Sequence, residues 1–387
     1  MLYCATLLAS LLAGSALAYN DGLESKLTNL VRQRRQDGTD PTQPVGTNPI
    51  SKFETQYLGQ QNPNNSCSHR DLGFTGELQG KWYAVYGDTL WCAPGVTDPS
   101  ADPDGFHGLV RDAVSLMTDD PLVVADMHLN DDTPVRHQLQ FVPFNADWGE
   151  ENTYGFGGTS LFETADGAGG VFYLVNANDD GLKGAGVAKV ELINGEPTVT
   201  QRFGDNGYWW PSNNTPRYGD VAAFRDPRSE YVYAWGGAPT SVADSTTDAQ
   251  YVYLLRVKAA DAYDLDRYEY WWGPDSGWKT GQPLTEFGAR TAVAWLIGQG
   301  QIVWSEFYEC YIFVHLSPGG SDVLLRTATL LEGPWTPDVK VFTATPIDGG
   351  LTYAGVAHPY LDPSGQTLTI SYTNNNHIEV LKVTFSR

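Results

Sequence analysis

The sequence predicts an all-β chain organised as a five-bladed β-propeller, with six blades or a double β-sandwich as the alternative architectures. Three observations carry this prediction. Aromatic residues make up 12% of 387 positions and stand beside 41 Gly and 23 Pro, a mixture suited to short strands joined by tight turns. Runs such as KWYAVYGD (81–88), GVFYLVNA (170–177), EYVYAWGG (230–237), QYVYLLRV (250–257), CYIFVHL (310–316) and TLTISYT (367–373) are rich in aromatic and β-branched residues, and many alternate. Turn signals recur roughly every 8–12 residues, and no helical stretch of about 12 or more residues stands out. Loose echoes also recur, as YGDTLW (86–91), YGDVAAF (218–224) and WSEFYE (304–309), the weak periodicity of a repeat architecture. Residues 68–387 divided by five give about 64 residues per unit, enough for a four-stranded blade and its connection. Two sandwiches would need a linker midway, and the chain shows none.

The elements follow in order. Residues 1–18, MLYCATLLASLLAGSALA, form an uncharged apolar stretch ending in Ala16-Leu17-Ala18, which reads as a signal peptide and implies a secreted, extracellular protein. Residues 19–35 end in Arg34-Arg35 and read as a pro-segment with a dibasic processing site. Residues 36–66 are rich in Pro, Gly and Asn and read as an irregular lead-in. The propeller domain is expected over 67–387. No later stretch is apolar enough to span a bilayer, so no membrane partner is expected.

The formal net charge is −22. A chain this acidic repels polyanions unless it hides a basic patch, which argues against nucleic acid as a partner. Four cysteines are present, and Cys4 leaves with the signal. Cys67 and Cys92 flank one predicted hairpin and are the expected disulfide; Cys310, inside an apolar strand, is expected to be a buried thiol. Sequons at Asn64 and Asn213 offer glycan acceptors. The His residues lack metal-ligand spacing, and the chain carries no phosphate loop, nucleophile elbow or zinc motif. No metal and no cofactor are therefore expected.

The strongest chemical signal lies in the first hairpin. A two-residue turn at Gln79-Gly80 would place Leu78 opposite Lys81. The same register places Asp71 opposite Asp88, on one face. Directly opposed Cβ atoms lie roughly 4.5–5.5 Å apart, and two carboxylates that close cannot both ionise cheaply. Such a pair is what glycosyl transfer requires: one acid protonates the leaving oxygen, the other serves as nucleophile or base. Alternation turns Arg70 toward the other face. Further polar residues embedded in apolar strands are Arg70, Asp112, Arg217, Asp220, Glu306, Tyr311 and His358, and Trp210 offers a stacking surface. In a propeller these could converge at the central channel and bind substrate.

The strings RDLGF…WYAVYGDTLW, TPRYGDVAAF…YVYAWGG, QIVWSEFYECYIFVHL with LLEGPW, and YAGVAHPYLDPSGQTLTISYT resemble the secreted fungal branch of domain-of-unknown-function family 4185. The resemblance spans roughly 68–387. It implies kinship to the endo-D-arabinanases of glycoside hydrolase family 183, five-bladed propellers whose catalytic acids fall in the region matched here by Asp71 and Asp88. Where the family pattern reads RDGG, this chain reads Arg70-Asp71-Leu72-Gly73, keeping the acid and replacing a glycine.

The expected function is therefore a secreted glycoside hydrolase, active as a monomer, cleaving a furanose-containing or related polysaccharide through Asp71 and Asp88. A carbohydrate-binding propeller lectin without turnover, and a polysaccharide lyase with a Tyr or His base, are the alternatives.

Overall fold

The structure is a computed structural model that describes residues 40–102, 106–131, 135–164, 166–177, 181–242 and 247–387. The expected signal peptide and pro-segment lie outside these residues. Among the described residues the regular elements are β-strands and short 3₁₀ turns, with no α-helix.

The strands form five antiparallel meanders. The first runs through Ser68–Leu78, Lys81–Trp91, Ala113–Met117 and Val123–Asp126. The second starts with an irregular segment, 155–163, bridged to Gly169–Ala177 and followed by Gly181–Ile193 and Glu196–Arg202. The third comprises Arg217–Arg225, Tyr231–Gly237, Tyr251–Lys258 and Glu269–Trp271. The fourth comprises Gly300–Ser305, Cys310–Leu316, Asp322–Ala328 and Val339–Thr343. The fifth comprises Thr352–His358, Thr367–Asn374 and His377–Ser386, completed by Lys52–Pro63 from the start of the described chain.

Apolar alternation packs each meander against the next. Tyr83, Val85 and Val114 of the first meet Val171, Tyr173 and Val190 of the second. Phe172 and Val187 of the second meet Tyr218, Tyr253 and Tyr270 of the third. Trp235 and Leu254 of the third meet Ile302 and Phe313 of the fourth, and Val314 and Leu325 of the fourth meet Ile370 and Leu381 of the fifth. Leu72 and Phe74 close the circuit against Ala354 and Val356. The first strands of successive meanders also touch one another around the ring. This is the expected β-propeller arrangement; sheets packed as two sandwiches would not return the last core to the first.

One expectation is corrected. The lead-in is not irregular throughout: Lys52–Pro63 is a strand paired with the C-terminal strand from Lys52 opposite Ser386 to Gln61 opposite Ile378, with a bulge between Tyr57 and Gly59. Its last residues also pair in parallel with Val123 and Val124 of the first meander. An outer strand has one wet face, so its residues are polar; Tyr57 is 46% exposed. That composition, beside Pro- and Asn-rich flanks, hides the strand from a search for apolar runs. Because it joins the two ends of the chain, it fastens the ring.

The expected hairpin register is present on either side of the carboxylates, but two bulges interrupt it between Arg70 and Phe74, so Asp71 and Asp88 are not the directly opposed ladder pair that the sequence predicts. Gln79 and Gly80 have φ of +50° and +73°, the two positive values of a type I′ turn. Leu78 faces Lys81, and the same register runs to Phe74 opposite Val85. It resumes at Arg70 opposite Thr89 and continues to Ser68 opposite Trp91. Beyond it, Cys67 and Cys92 form the expected disulfide, with Cα atoms 5.5 Å apart. Cys310 is a buried free thiol.

Candidate active site

Between the two regular stretches of that hairpin lie bulges around Leu72. Asp71 and Asp88 sit in this irregular zone and line one small chamber on the ring axis. Leu72 and Gly73 hold φ of +64° and +87°, so the strand turns out of its pleat where Asp71 must point inward. Gly87 is needed for close approach: a Cβ there would lie 2.3 Å from Asp71 Oδ1.

Every meander contributes to the chamber. The first gives Asp71, Asp88 and Arg111; the second gives Thr159; the third gives Asp220; Gln299 precedes the fourth, and Tyr353 begins the fifth. The cavity is about 40 Å³, room for a few waters rather than a sugar ring. The Asp88 side chain is 14% exposed, so solvent reaches the pair from outside the chamber.

The two carboxyls have different neighbours. Asp71 Oδ2 accepts a 2.6 Å hydrogen bond from the Tyr353 hydroxyl, while buried Oδ1 has no partner among the described residues. Burial, with the Asp88 charge adding to it, pushes the Asp71 carboxyl up to about 7, and the Tyr353 hydrogen bond only partly opposes this. Burial also raises Asp88, but the Arg111 guanidinium works against the rise, donating from Nη1 to Asp88 Oδ1 at 3.4 Å. Tyr353 is itself held well above the usual phenol range by burial and the facing Asp71. One acid is thus poised to keep a proton near neutrality while its neighbour has a cation beside it.

Asp220 reaches the same chamber. Gly219, φ +95°, turns the strand, and Arg217 Nε donates to Asp220 Oδ2 at 2.8 Å. Arg217 also donates to the Ala238 carbonyl at 2.8 Å, so it is a clamp behind Asp220 rather than a chamber wall.

Several sequence-predicted binding residues stand elsewhere. Arg70 is buried against Asp126, with Nη1 and Nη2 on the two carboxylate oxygens at 2.9 and 3.0 Å and Tyr86 beneath it. Asp112 turns away from the chamber and caps the backbone N–H groups of Phe141 and Val142. Trp210 is fully buried, with Nε1 donating to the Tyr270 hydroxyl at 3.0 Å. Tyr311 packs on Trp304 and donates to Asp226 at 3.2 Å. His358 is buried against Ser371 Oγ, and burial lowers it to about 3. Glu306 is exposed near the far end of its strand. The common reason is physical: a polar residue in an apolar strand signals a satisfied hydrogen bond as readily as a channel wall. Arg111, Thr159, Gln299 and Tyr353 line the chamber without a local sequence signal that marks them as site residues. Alternation sends Arg111 inward where Asp112 goes outward, but nothing local says which of the two faces the axis.

His69, Cys92 and Asp102 bring three ligand-type atoms together. The Cys92 sulfur is committed to the disulfide, and His69 Nε2 already meets the Asp102 carbonyl at 3.0 Å, so the trio fits a structural contact. Asn64 and Asn213 are both exposed.

Residues 189–384, just over half of the sequence, match the profile of domain of unknown function DUF4185. The chain belongs to the DUF4185 family. The matched stretch includes Asp220 and Tyr353, while Asp71 and Asp88 precede it. No curated protein matches in sequence. Among solved structures, a candidate hydrolase of Bacteroides ovatus superposes with a TM-score of 0.55 at 16% identity, over 85% of this chain and 87% of that one; it shares the fold. A family 117 glycoside hydrolase of Zobellia galactanivorans gives a TM-score of 0.47 at 11% identity, over 88% and 92%. A family 43 β-xylosidase/α-arabinofuranosidase from a compost metagenome gives 0.49 at 14%, over 85% and 95%.

Proposed function

We propose that this DUF4185 protein is a secreted glycoside hydrolase acting on a furanose-containing or related polysaccharide, with Asp71 as general acid and Asp88 as nucleophile or base. The observation that carries the reading is the asymmetry of the pair. Asp71, raised to about 7 by burial and the facing charge, holds the proton that a leaving glycosidic oxygen needs. Asp88, beside Arg111, is the carboxylate that either attacks the anomeric carbon or deprotonates a water. In the first case a covalent glycosyl intermediate forms and configuration is retained; in the second it inverts. The sugar ring would dock at the open side of the water-sized chamber, with Asp220 as a hydroxyl acceptor.

The lyase reading is less favoured, because among the described residues His358 is not at the chamber and burial, with the facing Asp71, holds the Tyr353 proton well above the usual phenol range.

The test is reducing-sugar release from a polysaccharide panel that includes arabinogalactan and D-arabinan. Wild type should release sugar, and folded Asp71→Asn and Asp88→Asn variants should each lose on the order of 10³-fold. Release that survives both substitutions would remove the pair from the mechanism.

A further inference from the structure

The ring axis has a second cavity that the carboxylate chamber does not use. Its walls come from residues further along the same first strands: Thr75 and Glu77 after Asp71, Phe224 after Asp220, Trp304 after Gln299, Tyr360 after Tyr353. At up to about 3.3 Å per strand residue, Thr75, Glu77, Phe224 and Trp304 stand at most roughly 13–20 Å along the axis from the chamber, toward the opposite mouth of the ring. The cavity is about 620 Å³, inside the usual range for small-molecule sites.

A buried hydrogen-bonded layer lies between the two cavities. Gln301 Nε2 donates to Thr75 Oγ1 at 2.9 Å, Thr75 N–H donates to Gln301 Oε1 at 3.2 Å, and Thr75 Oγ1 donates to the Ala357 carbonyl at 2.7 Å. Those side chains are buried and form the floor of the larger cavity. The two cavities share no lining residue, and the Thr75–Gln301 layer stands between them, so this mouth would hold its own ligand.

The lining specifies what that ligand is. Trp82 stacks on Tyr360 with centroids 5.3 Å apart. Trp304 lies across the cavity with the Arg228 guanidinium 3.8 Å over its ring. Each indole is thus braced on one face. Glu163 and Glu306 put carboxylate acceptors on the wall. Ser160 is 5% exposed, and its Oγ has no hydrogen-bond partner among the described residues. Aromatic faces beside hydroxyl and carboxylate groups match a molecule with apolar C–H faces and many O–H donors, while the carboxylates repel an anion.

We propose that this mouth is a second, non-catalytic binding site for a neutral carbohydrate, with Trp82 and Trp304 as stacking platforms and Glu163 and Glu306 as hydroxyl partners. It would hold a polysaccharide chain on the face opposite the carboxylate pair.

The experiment uses the full chain carrying Asp71→Asn and Asp88→Asn, so that turnover does not contribute, and binding at the first site is told apart by its indifference to Trp82 and Trp304. Neutral arabino-, xylo-, galacto- and gluco-configured trisaccharides and soluble arabinogalactan are titrated by calorimetry and tryptophan emission, with tri-lysine as a cationic control. Saturable binding of at least one neutral sugar is expected. Trp82→Ala and Trp304→Ala should each weaken it by about tenfold or more, and Trp82→Phe, which keeps a ring, should restore part of it. No response to any sugar up to about 10 mM, where even weak mM affinities would register, would overturn the proposal. So would a response to tri-lysine alone, or sugar binding indifferent to both Trp→Ala variants. The outcome stands apart from the hydrolase reading, because binding here needs neither Asp71 nor Asp88.

Discussion

Replacing Asp71 with Asn should stabilise the protein, increasingly so as pH rises. The carboxyl is raised from an ordinary 3.8 to about 7. Between those values the folded protein holds a proton that the unfolded chain releases. Folding stability therefore falls with rising pH in this window, by about 1.36 kcal/mol per unit for this group, and levels off above pH 7. Asparagine has the shape of the protonated acid and never ionises. The stability difference between variant and wild type should thus grow from pH 5 to pH 7 by up to roughly 3 kcal/mol and then plateau. Part of this is lost because the amide changes the contact with the Tyr353 hydroxyl, an effect that does not vary with pH in this range. Urea unfolding of both proteins at intervals from pH 5 to pH 8.5 reads the difference directly, and titrations of groups that do not sense Asp71 cancel in the subtraction. A difference that stays flat with pH, or a variant that becomes relatively less stable toward pH 8, would refute the claim that Asp71 is a strained, proton-holding acid.

Tyr353→Phe removes the hydrogen bond that holds the Asp71 carboxyl down, so the alkaline limb of the activity profile should move to higher pH, seen in kcat/KM against pH. Arg111→Gln removes the cation beside Asp88, and the acidic limb should rise as Asp88 becomes harder to ionise. Gly87→Ala drives a Cβ to 2.3 Å from Asp71 Oδ1 and 2.9 Å from Leu72 Cδ1; a loss of about 1–3 kcal/mol in urea and a collapse of activity should accompany it. Cys67→Ser with Cys92→Ser opens a loop of sequence separation 25, and about 3.5 kcal/mol should disappear from the unfolding free energy on chain-entropy grounds.

The legible parts of this fold are the ones governed by local rules. Gln79-Gly80 is a turn with both residues at positive φ, and alternation on either side sets which residues face each other. Asp71 and Asp88 could therefore be brought together on paper, as could Cys67 and Cys92. What escaped depends on the ring as a whole. Whether Asp112 or Arg111 faces the axis is decided by how the first meander leans on the second, and the capping of the Phe141 and Val142 amides by Asp112 involves a loop nearly thirty residues away. Trp210 and Tyr311 are needed between meanders, where large rings fill space, and an indole has the same letter there as in a sugar platform. Glu306 shows the last limit. Its strand enters the axis near the carboxylate chamber, but the residue itself lies at the other end of the ring, a distance set by strand length and not by motif.

The chamber owes its chemistry to one device used three times. The first strands of three meanders lose register at the same height: around Leu72, between Tyr218 and Ala222, and between Tyr353 and Val356. At each break a residue takes positive φ: Leu72 and Gly73, Gly219, and Ala354 at +56°. A regular strand would alternate its side chains between the two neighbouring meanders and leave only backbone at the axis. A bulge rotates one side chain out of that alternation, and the ones rotated are Asp71, Asp220 and Tyr353. Glycine takes positive φ freely, but Leu72 and Ala354 do so against a steric cost of about 1–2 kcal/mol each. Both are buried in the same cluster, with Phe74 and Val356, so apolar packing offsets the backbone strain at the point where the ring closes. Leucine at 72 thus serves the seam between the last meander and the first while the bulge it occupies aims Asp71 at Asp88. The strain, the ring closure and the carboxylate pair are one structural feature, which is why an acid with a proton near pH 7 can persist in a fold that would be more stable without it.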